Sequence, residues 1–140
     1  MKYEEFIGQV RRRADVATSE EAERATQATL ETLAGRLSGN EAAQLAAQLP
    51  PEIALYLQPY YAGIGDSYSL DEFFRRISER EEVALEEATY HARVVCALLA
   101  EVVSVGEIED VRAQLPSDFA KLFEVENEGE IPEIDEDVSE

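Results

Sequence analysis

Apolar side chains return every three or four residues along most of this chain. Tyr3, Phe6, Ile7 and Val10 fall at i, i+3, i+4 and i+7, and Leu70, Phe73, Phe74 and Ile77 repeat that spacing, so an amphipathic helix is predicted at each place. Ser69-x-x-Glu72 supplies a capping box for the second of them. Longer helices are predicted over about 20–37 and 85–103, the first preceded by Thr18-x-x-Glu21. A third helix starts at Ser38-x-x-Glu41 and again at Ser104-x-x-Glu107. There the serine oxygen takes one orphan backbone N–H, and the glutamate is expected to reach back to another. Pro50 and Pro116 end these helices, because proline disfavours helical geometry in the residue before it and cannot donate to the previous turn. A last short helix then buries Ile53, Tyr56 and Leu57, or Phe119, Leu122 and Phe123. No strand is predicted.

The element order is written twice, and so are many of the residues. Tyr3-Glu4-Glu5-Phe6 aligns with Leu70-Asp71-Glu72-Phe73, and the match runs without a gap through Val16-Ala17 on Val83-Ala84. One residue then drops out, after which Glu20-Glu21-Ala22 falls on Glu86-Glu87-Ala88, Ser38 on Ser104, and Ala47-Gln48-Leu49-Pro50 on Ala113-Gln114-Leu115-Pro116. Self-similarity on this scale sets the architecture before any single helix does. The expectation is an all-α fold: a helical bundle of two tandem four-helix repeats, roughly 3–57 and 70–123, related by a pseudo-two-fold axis around one core. The second long helix reads "VVCALLA" where the first reads "ATLETLA", so the second should be the more enclosed. Residues 58–69, "QPYYAGIGDSYS", have linker chemistry and carry Tyr60, Tyr61 and Tyr68. Residues 124–140 hold nine acids and no base, and are expected to form a disordered acidic tail.

Composition narrows the possible partners. Among 140 residues, 45% are apolar and 31% charged, which suits a globular chain, and 31 acids against 12 bases give a net charge of −19. That field repels phosphate backbones and anionic lipid, so neither nucleic acid nor membrane is an expected partner. The longest apolar run, residues 94–100, is far short of the roughly 18 residues of a membrane span. The N-terminal stretch lacks the apolar core of a secretory signal, and a single cysteine cannot form an internal disulfide. A cytoplasmic location is expected.

Candidate chemistry is sparse. His91 is the only histidine, and Glu87 one turn before it could share a metal with it or orient it as a base. Against this, His91 aligns with Ala25 and lies near the apolar face marked by Ala88 and Val95, which suits a packed histidine. Cys96 sits in an apolar run and reads as core. Glu81-Glu82 and Glu86-Glu87 are adjacent acids near a helix start, where solvated charges are common. Arg11-Arg12-Arg13 is flanked by acids and suits surface ion pairing. No catalytic set converges and no cofactor is implied. The expected function is a non-enzymatic helical protein-interaction domain, binding a protein partner or its own copy, with Tyr60 and Tyr61 as candidate contacts. The alternatives are a small-molecule or metal-binding protein using Glu87 and His91, and an acidic tail that engages a basic partner.

The pattern "YEEF…AERAT…LAGRLS…AAQLP" followed by "LDEFF…YHARVV…GEIEDVRAQLP…LF" resembles the bacterial and archaeal family called domain of unknown function 2267. The likeness covers residues 3–123, and its more specific parts are the paired Leu-Pro junctions and Tyr90 to Val95. It implies a cytoplasmic all-helical fold and brings no known activity or catalytic residue.

Overall fold

The computed structural model describes residues 1–58 and 67–124, and all regular structure among them is helical. Helix α1 spans Tyr3–Ala14, α2 Ser19–Arg36, α3 Gly39–Ala46 and α4 Pro51–Ala54, the last continuing as a 3-10 turn, Leu55–Leu57. Helix α5 spans Leu70–Glu81, α6 Leu85–Val102 and α7 Val105–Ala113, followed by a 3-10 helix at Ser117–Phe123. Matched elements have matched lengths: 12 residues in α1 and α5, 18 in α2 and α6. Tyr60, Tyr61 and all of the expected tail except Glu124 lie outside the described residues.

The long helices α2 and α6 lie against each other at the centre, and each short partner touches both: α1 packs on α2 and α6, α5 on α6 and α2. One hydrophobic cluster results, with Phe6, Leu30, Leu33 and Leu45 from the first half and Phe73, Ile77, Leu98 and Phe119 from the second. Burying each such side chain contributes roughly 1.5–3 kcal/mol. Phe119 meets Phe73 edge to face, ring centroids 5.4 Å apart, which seats the last 3-10 helix on α5.

The two central helices are enclosed more equally than their compositions suggest. His91 through Leu99 are all buried, and so are Thr32 through Leu37. Helix α2 tolerates this with polar side chains because Thr26 and Thr32 donate their hydroxyls to the carbonyls of Ala22 and Ala28, at 2.8 and 2.7 Å. Tyr68, from the expected linker, is also buried, under Arg76 at 4.0 Å from its ring centroid and beside Arg36, and its hydroxyl donates to the Thr32 carbonyl. It serves as a core anchor and is no open contact.

Two helix ends share an uncommon backbone conformation. Helix α1 ends at Asp15 and α5 at Glu82, both in the left-handed region, at φ 58° and 63°. These are aligned positions, and neither is the glycine that usually takes this conformation. The chain is thereby reversed sharply into α2 and α6, and the two reversals face one another.

Candidate functional site

The facing reversals enclose a cleft of about 690 Å³. Its walls come from aligned positions of both halves: Ala14 and Glu81, Asp15 and Glu82, Val16 and Val83, Glu21 and Glu87, Arg24 and Tyr90, with Ala17, Glu86 and His91 completing it. Asp15, Glu82, Glu86 and Glu87 are exposed at its edge, while Glu81 and His91 are 3% and 6% exposed.

His91 Nδ1 is hydrogen-bonded to Glu81 Oε2. The left-handed turn at Glu82 makes this possible, since it folds the last residue of α5 back onto the second turn of α6. The alignment that sets Tyr3 on Leu70 sets Ala14 on Glu81, and Ala25 falls on His91, so the buried polar pair exists in one half only. Ala14 and Ala25 are themselves buried, at 4% and 0%. With Nδ1 held by the carboxylate, the ring is oriented and Nε2 is the nitrogen that Glu81 does not engage. The second Glu81 oxygen, Oε1, is buried without a hydrogen-bond partner among the described residues. A buried carboxylate oxygen in that state favours a donor arriving from outside.

Glu87 lines the same cleft but serves another purpose: its Oε1 accepts a long bond of 3.4 Å from the Ala84 backbone N–H at the start of α6. Its counterpart Glu21 accepts from the N–H groups of Ala17 and Thr18 at 2.9 and 3.0 Å. Those backbone donors, Thr18 first, hold the Glu21 carboxyl below the usual carboxylate range. So the structure brings Glu87 and His91 to one cleft, yet the partner of His91 is Glu81. Among the described residues, the group of three converging metal-type donors is Glu41, Glu107 and Asp110, which includes neither Glu87 nor His91.

The remaining candidates are accounted for by packing. Cys96 is fully buried and its thiol is pushed up to about 12 by that burial, with Arg93 opposing only weakly, so the nucleophilic thiolate is suppressed. Arg13 makes a two-pronged bridge to Glu101 of α6, at 2.7 and 2.9 Å, and Arg11 donates to the Ala17 carbonyl. Tyr90 donates to the Arg13 carbonyl at 3.0 Å, which fixes one rim of the cleft to the end of α1.

Glu81 carried no functional signal along the sequence beyond being an acid beside an acid. Its mismatch with alanine in the other half was the one available pointer. A search of curated proteins finds no match for the chain. The profile of the family described as "Uncharacterized conserved protein (DUF2267)" matches residues 3–122, which spans α1 through α7, and the chain therefore belongs to that family.

Proposed function

We propose that the protein is a non-enzymatic binding domain, and that the cleft between the two reversals receives a basic side chain of a partner protein. The observation that carries this reading is the Glu81 Oε1 atom, buried and lacking a donor, in a cleft edged by the acids Asp15, Glu82, Glu86 and Glu87 against the single base Arg24. An ammonium or guanidinium supplies both the missing N–H and the opposite charge. The volume also falls within the roughly 300–1,000 Å³ typical of ligand clefts. A metal on Glu87 and His91 is less favoured, because Glu87 is occupied by a backbone N–H and Nδ1 of His91 by Glu81.

Backbone amide NMR of the full chain, titrated with a short arginine-rich peptide and separately with arginine amide, tests the reading. The peptide should shift the Val83 and His91 amides, and Glu86→Gln should weaken it by about threefold to tenfold, the loss of one charge-assisted contact. Equal affinity for arginine amide would point to a free small cation instead. Shifts confined to other acidic surfaces would reject the cleft.

We infer further that the halves are tandem four-helix units about a pseudo-two-fold axis. Equal lengths of α1 and α5 and of α2 and α6, crossed packing of α1 on α6 and α5 on α2, and left-handed residues at aligned positions support this. A cytoplasmic location and a role for the acidic residues 124–140 in holding a basic partner belong to the same reading, and rest on composition. No helix of the described residues is long and apolar enough to cross a membrane.

A further inference from the structure

At the α3–α7 contact the caps are exchanged between the halves. The Ser38 backbone N–H donates to Gln114 Oε1 at 3.0 Å, and the Ser104 N–H donates to Gln48 Oε1 at 2.8 Å. Elsewhere Glu5, Glu21 and Glu87 turn back to satisfy the equivalent N–H of their own helix. Glu41 and Glu107 occupy that same position in α3 and α7, yet the glutamines have taken over their partners. Released from capping, the two glutamates face one another. Each is only 7% exposed, and Oε2 of both is buried without a hydrogen-bond partner. Asp110, exposed and one turn along α7, joins them, so that one carboxylate oxygen from each of the three lies within 4.8 Å of the others.

The Gln114 Nε2–H donates to Glu41 Oε1 at 3.4 Å, but it is neutral, and three carboxylates at that spacing repel one another unless a cation or a shared proton lies between them. Oxygens bound to calcium at about 2.4 Å stand at most about 4.8 Å apart, and those around magnesium or manganese somewhat closer, so the spacing suits a hard cation. We propose that Glu41, Glu107 and Asp110 hold a hard divalent cation that ties α3 to α7. Glu41 and Glu107 supply buried oxygens from the two halves, Asp110 supplies the solvent-facing one and the entry path, and water completes the shell. The Glu107 carboxyl is pushed up to about 7, by burial first and then by Glu41 and Asp110, which is the cost that a bound cation removes.

The test uses the full chain, stripped by chelator and returned to physiological sodium chloride so that diffuse binding to a surface of charge −19 is screened. Titration with manganese, followed by calorimetry and electron paramagnetic resonance, should show one saturable site per chain. Calcium should compete for it. Glu107→Gln should weaken that site by more than about a hundredfold, beyond what outer-shell changes cost, while Glu79→Gln on α5 leaves it intact. Asp110→Asn, at an exposed position, supplies a second variant whose folding is not in question. With the ion at about a hundred times its dissociation constant, the wild-type melting temperature should rise by about 10 °C. Unsaturable binding, or binding equal in wild type and both site variants, would overturn the proposal.

Discussion

Two of the places where the halves meet treat aligned residues in opposite ways. At the α3–α7 contact the sequence is kept on both sides: Ser38, Glu41 and Gln48 face Ser104, Glu107 and Gln114, and each half caps the other. At the cleft the aligned turns are kept, yet Ala14 and Ala25 in one half stand where Glu81 and His91 form a buried pair in the other. Like residues brought face to face put like charges together, which a cation or a proton must then reconcile. A one-sided substitution gives a cleft with two unlike walls, which can orient an unsymmetrical ligand. The first contact is suited to joining the halves, and the second to telling a ligand which way to enter.

The contrast between the two contacts breaks most visibly if the buried pair is not a unit. Glu81→Ala or His91→Ala alone should cost about 4 kcal/mol, because each leaves a buried polar partner uncompensated. The double variant E81A/H91A restores the alanines of the first half and should cost about 5 kcal/mol, little more than either single change, a coupling of about 3 kcal/mol by urea unfolding. Additive costs would mean that the two side chains act separately.

The contact built from repeated residues is sharpened by pH. The Glu107 pKa in the folded chain, about 7, lies above its ordinary 4.5, so the folded state binds the extra proton between those values. The stability tied to this group is therefore complete below about pH 4.5 and is lost as pH rises towards about 7, by at most about 3 kcal/mol. Glu21 and Glu72, both lowered, contribute with the opposite sign, since their share is lost as pH falls. In chelating buffer, Glu107→Gln should be more stable than wild type at about pH 8 and should lose that advantage at about pH 5. An advantage that does not change with pH would contradict the repulsion among the three carboxylates.

The smallest effect tests the equality of the halves. Gln48→Ala and Gln114→Ala each remove one helix cap and should each cost about 1 kcal/mol in thermal or urea unfolding. A clear inequality would show that one half depends on the other more than it is depended upon.

Much of the helical layout was legible because its signals are local. The Thr18 cap and the apolar periodicity place α2 to within a residue of Ser19–Arg36 and the Ser69 cap marks the start of α5, whereas α3 and α7 end at Ala46 and Ala113, three or four residues before the prolines expected to stop them. The candidate sites were less legible because they depend on distant partners. Ser38-x-x-Glu41 reads as a closed capping box until Gln114 arrives from the other half and takes the serine N–H. His91 reads with Glu87 by helical spacing, but a left-handed Glu82 turns Glu81 back onto it. Helical periodicity also could not show that Tyr68, outside any helix, is drawn into the core by two arginines.

The exchanged glutamine caps also constrain the order of events as the chain folds. Helices α3 and α7 have 8 and 9 residues, too short to persist alone in water, and each depends on a side chain more than fifty residues away in sequence for the partner of its N-cap amide. The serine hydroxyls cap the Glu41 and Glu107 amides within each helix, but the Ser38 and Ser104 amides gain their partners only once the halves have docked. Hydrogen exchange at the Ser38 and Ser104 amides then reports a single opening event shared by both halves, with one free energy for the pair.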